Sequence, residues 1–327
     1  MDSPQARHTQ LTGVRSARLW LVLAAVLWSS SSFFMRLLLE PTPLGLHEPH
    51  LSPLQIAFFR GLFAGLVLIP LVSRAEVRFR PLMAGMVACF GVMSGLYMMA
   101  LGLGPAANAI LLQNSAPVWV FAIGVGFLGE KADRRNWQTV LVAMTGAAII
   151  VAGNWPRGLA PDEQAKQVEI LLMATGSGMA YAGVILFLSA LRAESSAWLS
   201  VLNLIGSAGC VAVYACATRD PAGMVAWLTA PTAAQLLFLA VFGATQMAAP
   251  YFLFARGLRT VGPQEAGIIT LLEPLLNPLW AYLIAPDKET PTGWTWLGGG
   301  VLMAALAWRY APRRGRAGEG ATAASSA

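Results

Sequence analysis

Ala109-Ile-Leu-Leu-Gln-Asn-Ser-Ala-Pro117 and Ala266-Gly-Ile-Ile-Thr-Leu-Leu-Glu-Pro274 are the two stretches on which the reading of this chain turns. Each is an apolar run that becomes polar in its second half and ends in proline, and 157 residues separate them. The same offset sets Lys131 on Lys288, Trp137 on Trp294 and Ala147-Ala148 on Ala304-Ala305. A register held from residue 109 to residue 305 marks an internal repeat. The surrounding chain is apolar: of 327 residues, 56% are hydrophobic and 12% charged. An average soluble chain is about 25% charged, so the charge here is too sparse to cover a water-facing surface. That excludes a cytosolic enzyme, a disordered regulator and a disulfide scaffold, and it leaves an integral membrane protein.

A helix that crosses the hydrocarbon needs about 20 mostly apolar residues. The sequence predicts ten of them, over 18–39, 53–72, 81–101, 106–128, 136–153, 168–190, 197–217, 233–255, 263–285 and 293–310. The runs are too long and too evenly apolar for barrel strands, which alternate. Turn chemistry punctuates them at Pro41-Thr42-Pro43, Gly104-Pro105, Asn154-Trp155-Pro156, Asp220-Pro221 and Pro291-Thr292-Gly293. The first run has no small-residue cleavage site, so a removed signal peptide is not expected. With the N-terminus in the cytoplasm, sixteen Lys and Arg fall in inner segments and four (Arg157, Lys166, Arg219 and Lys288) in outer loops. This asymmetry predicts a multi-pass protein of the cell (inner) membrane with both termini cytoplasmic.

Five spans per copy is an odd number, so the second copy must insert upside down relative to the first. The expected layout is a cytoplasmic segment 1–17, a first five-helix repeat 18–153, an extracytoplasmic linker 154–167, a second repeat 168–310 and a disordered cytoplasmic tail 311–327. Inverted repeats that meet at the bilayer midplane characterise secondary transporters; the competing reading of the duplication is a passive scaffold or channel.

The motifs resemble those of the drug/metabolite transporter superfamily with EamA-type domains. Leu27-Trp28-Ser-Ser-Ser-Ser-Phe33 is similar to the family's first helix, and Phe58-Phe59-Arg60 to its second. Tyr97-Met-Met-Ala100 and Phe252-Leu-Phe-Ala255 are similar to the end of its third helix, in both copies. Ala116-Pro117 with Gly129-Glu130-Lys131 matches the fourth helix, and Trp137 with Gly146 the fifth. Leu272-Glu273-Pro274 resembles the family's Glu-Pro step, whereas Pro286-Asp287-Lys288 departs from Gly-Glu-Lys and nothing near Asn203 matches Arg60. The resemblance covers residues 18–310 and implies a ten-helix carrier of small organic molecules that works without ATP.

An ionisable side chain in the hydrocarbon costs about 2.5–3.5 kcal/mol on insertion scales and therefore seeks a cavity or a partner. Arg36, near the end of span 1, is expected to snorkel to the interface, and Glu265 to serve the positive first turn of span 9. Arg60 and Glu273 lie deeper. Two readings stand side by side for them: an ion pair across the repeat interface, or a vestibule in which Arg60 receives an anionic or zwitterionic group and Glu273 carries a proton. Trp28, Tyr97, Gln113, Asn114, Tyr181, Gln246, Thr270 and Asn277 are the further cavity candidates. Because the offset sets Ala116 against Glu273, that cavity is asymmetric. Pro117, Pro250, Pro274 and Pro278 predict kinks.

The expected function is secondary active transport, by export or exchange, of an amino-acid-like, anionic or zwitterionic metabolite. The alternative is proton-coupled efflux of lipophilic cations. Rivals of another class are an intramembrane enzyme and a structural scaffold. His8, His47 and His50 lie outside the spans, and neither H-E-x-x-H nor G-x-x-x-x-G-K-[ST] occurs, so neither a metal hydrolase nor an ATPase is expected. No cofactor, metal or nucleic acid is expected; the partners are a small-molecule substrate, the lipid bilayer and protons as coupling ion. Two fused repeats suit a monomer or a homodimer. Cys89, Cys210 and Cys216 read as small buried side chains.

Overall fold

The computed structural model describes residues 4–127, 129 and 134–310. Glu130 and Lys131 of the Gly-Glu-Lys motif and the tail 311–327 lie outside the described residues, among which there is no strand. The protein is an all-α membrane protein. By length and composition, nine described segments are able to cross a bilayer: Val14–Leu39, Pro53–Leu71, Pro81–Leu103, Ala106–Gly126, Arg134–Gly153, Pro161–Ala190, Ser196–Thr218, Ala233–Phe254 and Glu265–Ile284. At the tenth expected span stands the helix Gly293–Tyr310. Its Gly298-Gly299-Gly300, three tryptophans and Arg309 make it less apolar than those nine.

Several spans are broken, and the breaks follow from local chemistry. In the first, α1 (Pro4–Ser29) gives way to α2 (Ser31–Leu39) at four consecutive serines. Ser29 and Ser30 donate back to the Val26 and Leu27 carbonyls, which loosens and bends a helix. Next come α3 (Pro53–Leu68), α4 (Pro81–Leu103), then α5 (Ala106–Gln113) and α6 (Ala116–Gly126), which divide one span just before Pro117. After α7 (Arg134–Gly153), the helix α8 (Pro161–Ala190) begins seven residues before the expected start, so the expected linker 154–167 is irregular only as far as Ala160. Pro161 at the first helical position with Asp162 and Glu163 behind it is a helix start that hydropathy alone misses. Then follow α9 (Ser196–Thr218), the short α10 (Pro221–Thr229) and α11 (Ala233–Phe242). A π-helical turn, Gly243–Ala248, connects α11 to α12 (Ala249–Gly257), next to Pro250 where a kink is expected. Finally α13 (Pro263–Thr270) and α14 (Leu272–Ile284) divide a span before Pro274, ahead of α15 (Pro286–Glu289) and α16 (Gly293–Tyr310). The breaks after Gln113 and after Thr270 fall at positions related by the repeat offset.

The broadest contacts join α4 to α8, α7 to α16 and α3 to α9, with α1 on α12 and α8 on α5 and α6. Close approach is set by glycine. A Cβ on Gly146 of α7 would stand 2.7 Å from the Gly298 carbonyl oxygen of α16, and one on Gly298 would stand 2.6 Å from the Gly146 oxygen. Backbone meets backbone there, so nothing flexible can yield. Gly146→Val is expected to cost about 1–3 kcal/mol by overpacking, read as a lower unfolding temperature in detergent; unchanged stability would show that α7 and α16 part without cost.

Two ends are distinguishable. At one, Arg18 of α1 meets Glu265 in the first turn of α13, and Arg80 before α4 meets Glu194, both at 2.5 Å, with Arg18, Glu265 and Arg80 exposed. At the other, the caps of two helices close the surface. Gln55, paired with Ser52 at the start of α3, donates to the Trp227 carbonyl at 2.8 Å. Gln235, paired with Thr232 at the start of α11, donates to Leu46 at 2.8 Å and Pro49 at 2.9 Å.

Arg36 belongs to that second end, and the snorkelling expected of it does not occur. It is 4% exposed. Its guanidinium pairs with Glu289, itself 1% exposed, and donates to the carbonyls of Leu101 (2.9 Å) and Gly104 (2.7 Å) at the end of α4. Glu289 in turn accepts from the Ala106 amide at 2.8 Å. Burial raises the Glu289 carboxyl above the ordinary carboxylate range, against the pull of Arg36. Glu265 does stand in the first turn of α13, but its carboxylate is taken by Arg18 rather than by a backbone amide. The cysteines are free, and none is buried as expected: Cys89 and Cys210 are half-buried, and Cys216 is exposed on an apolar helix.

Candidate functional site

A cavity of about 390 Å³ occupies the middle of the bundle. Part of its wall comes from the broken spans, where backbone irregularity and polar side chains coincide, and the rest from continuous helices. Gln113 and Asn114 come from the break between α5 and α6, and Thr270, Leu271 and Glu273 from the break between α13 and α14. Arg60 comes from α3, Tyr97 from α4, Tyr181 from α8 and Gln246 from the π-helical turn, with Trp28 completing the expected set. Nine of the ten candidate residues therefore share one cavity.

Asn277 does not line it. It is fully buried, and its side-chain amide donates to Ser31 Oγ (2.7 Å) and Tyr97 Oη (3.3 Å). Ser32 donates to its backbone carbonyl at 2.5 Å. Asn277 thus clamps α14 to the serine break of the first span, behind the wall that Tyr97 presents. Sequence alone could not separate a wall residue from a clamp residue, since both are polar groups at similar depth.

Arg60 is 3% exposed and held on three sides. Nη1 donates to Gln246 Oε1 (3.0 Å), Nη2 to Ser94 Oγ (3.2 Å), and the guanidinium lies over the Phe242 ring at 5.3 Å. Its Nε is buried with no partner among the described residues. Gln246 is itself fixed by donating to the Trp28 carbonyl at 3.1 Å. The π-helical turn that carries Gln246 reaches α3 because residue 243 is glycine: a Cβ there would stand 2.5 Å from the Arg60 carbonyl oxygen. π turns of this kind recur at functional sites.

Glu273 is half-buried, faces the cavity and forms neither hydrogen bond nor ion pair among the described residues. It is not paired with Arg60, so the structural ion pair considered for the two does not exist in this conformation. Tyr97 and Tyr251 line the same cavity as both residues. Trp28 meets Tyr251 edge-on at 5.4 Å and Phe254 at 5.2 Å, which gives the cavity an aromatic side. Sequence reasoning did not single out Tyr251, Ser94 or Ser200 as site residues, and named Asn203 only for lacking an arginine. All four line the cavity, and the Asn203 Oδ1 is buried without a partner. Their polarity within apolar spans was the available signal.

The cavity is not centred between the two ends. Leu188, Ser200, Phe254 and Leu306, all within about a turn of the ends of their helices, continue its lining toward the Arg18–Glu265 end. Among the described residues, none from the Arg36–Glu289 end lines the cavity.

Comparisons with known proteins agree with this architecture. The profile of the EamA-like transporter family matches residues 15–152 and again 168–310. An S-adenosylmethionine uptake transporter of Rickettsia felis is 24% identical over 306 residues, covering 88% of this chain and 90% of its own length. A pseudopaline exporter of Pseudomonas aeruginosa is 31% identical over 134 residues, 40% of this chain and 45% of that one. One solved crystal structure covers 90% of this chain and 96% of its own with a TM-score of 0.55; at 15% identity the likeness concerns the fold alone.

Proposed function

From the premise that this chain belongs to the EamA-like transporter family, we propose that it is a secondary carrier of a small zwitterionic or anionic metabolite, working by alternating access around the central cavity. The single observation that carries this reading is that Arg60 and Glu273 face one cavity without pairing with each other. Two unneutralised charges at that depth cost several kcal/mol, and a solute bearing both a carboxylate and a cationic group relieves both. Arg60, pre-oriented by Gln246 and Ser94, receives the carboxylate; its planar fork suits that group better than a lysine does. Glu273, with the rings of Trp28 and Tyr251, receives the cationic group or, between solutes, a proton.

The conformation fits one half of such a cycle. The lining reaches toward the Arg18–Glu265 end, which the basic loops assign to the cytoplasm, while the buried Arg36–Glu289 pair closes the outer end. Repeats 18–153 and 168–310, inverted relative to each other, rock about the cavity to exchange these roles. The names of the two relatives support a small metabolite as cargo; one is an uptake system and the other an exporter, so direction depends on the gradients.

One observation favours a second reading, efflux of lipophilic cations: the unpaired Glu273 beside an aromatic wall. Counterflow in proteoliposomes separates the two. Zwitterionic amino acids that exchange in an Arg60-dependent way support the first reading, whereas exchange of ethidium alone supports the second. In the same vesicles Glu273→Gln is expected to lose acceleration by a pH gradient while keeping solute exchange. Full response to the gradient by that variant would place proton coupling elsewhere.

A further inference from the structure

We propose that a groove between the first and eighth spans, at the end of the molecule that carries the basic loops, is a binding site for the head group of an anionic phospholipid. The groove has a volume of about 410 Å³ and is lined by Ser16, Trp20, Phe252, Arg256, Arg259 and Thr260, with Ala17 at its floor. Its walls are two ladders. On α1, Ser16 and Trp20 are one helical turn apart, as are Phe252 and Arg256 on α12, with Arg259 in the turn that follows. Each ladder runs from polar at the rim, through an aromatic ring, to exposed apolar side chains: Leu19 and Leu23 on α1, and Phe252, which is 51% exposed, on α12. That sequence of chemistries matches a phospholipid read from phosphate to acyl chain. Tryptophans are enriched at membrane interfaces, and Trp20 lies near the start of the first span, Val14–Leu39.

The charge in the groove is uncompensated. Arg256 and Arg259 are exposed, and neither forms an ion pair with a carboxylate among the described residues. Arg256 instead lies over the Trp20 ring at 5.3 Å, which orients its planar guanidinium while leaving its hydrogen-bond donors available. Basic pockets between spans on the cytoplasmic side are suited to phosphate-bearing lipid head groups. The groove is separate from the transport cavity: Phe252 faces the groove, whereas Phe254, on the opposite face of the same helix, lines the cavity. Because α1 and α12 belong to the two different family matches, a lipid seated here touches both halves of the carrier.

The test measures lipid binding, so it stands apart from any transport reading. Purified protein is reconstituted in nanodiscs of phosphatidylcholine with phosphatidylglycerol as the minor lipid, and the lipids retained after extraction are counted by native mass spectrometry. The wild type is expected to retain phosphatidylglycerol selectively. Arg256→Gln with Arg259→Gln is expected to lower that preference about 30-fold, since a basic residue near anionic lipid contributes about fivefold. Arg74→Gln, at the same end of the molecule but outside the groove, serves as the control that keeps the preference. Should the double variant be poorly folded, quenching of Trp20 by brominated phosphatidylglycerol, measured in the otherwise wild-type chain against Trp20→Phe, gives the same answer. Equal retention of both lipids by the wild type, or an unchanged preference in a folded double variant, overturns the proposal. Displacement of phosphatidylglycerol by millimolar inorganic phosphate also overturns it, because the site then binds the free anion rather than a lipid.

Discussion

Arg60→Ala is expected to abolish transport while leaving a folded protein in the membrane. Truncating one partner of a buried, hydrogen-bonded charge pair costs about 2–5 kcal/mol of binding, so counterflow of a carboxylate-bearing solute should fall at least about 30-fold. Folding should survive. The variant leaves only Gln246 Oε1 and the Ser94 hydroxyl without their Arg60 donors, and both border a cavity that admits water. Arg60→Lys sharpens the test. It keeps the charge but cannot reach Gln246 and Ser94 together through a planar fork, so intermediate transport is expected. Near-normal transport by the alanine variant would remove Arg60 from the site altogether.

Glu289→Ala should have the second large effect, on stability and on sealing. It leaves buried Arg36 with only the more distant Glu40 carboxylate at 3.9 Å as counter-charge, and the Ala106 amide without its acceptor. Removing one member of a buried pair costs about 3–5 kcal/mol, which thermal unfolding in detergent would register. Lys288, which meets Glu40 at 2.7 Å on the exposed rim, should matter far less, as exposed pairs contribute about 0–1 kcal/mol. Sealing is read by a cysteine at Gln113 in a chain whose three native cysteines are replaced by alanine. An impermeant thiol reagent applied from the Arg36–Glu289 side should leave it untouched in the parent and label it when Glu289→Ala is added. Equal labelling with and without Glu289→Ala would show that the pair does not close that end.

Much of this architecture was legible before any coordinates. Apolar runs of bilayer length, prolines inside them and an offset of 157 residues are local properties of the chain, and helices in hydrocarbon have to satisfy their own backbone hydrogen bonds. The breaks at Gln113 and Thr270 lie just before Pro117 and Pro274, where the missing amide and the ring make continuation costly. Nine of ten candidate residues reached the cavity because polar groups in lipid-spanning helices have few other places to go. The early start of α8 escaped notice because a charged first turn contributes nothing to hydropathy.

Partnership was another matter. Arg36 stood near a helix end and read as a snorkelling side chain, but beside nearby Glu40 its partners are carbonyls more than sixty residues away and a glutamate beyond two hundred. Asn277 and Gln246 are alike in sequence terms, yet one clamps two helices while the other orients an arginine at the cavity wall. Arg60 and Glu273 looked equally able to pair or to stand apart. The amino-acid order thus determined which segments enter the lipid, where they bend and which polar groups go in with them, because each depends on neighbours a few residues away. Which charges meet, which face an open space and which end is shut was decided by packing alone, because those contacts exist only once distant helices lie side by side.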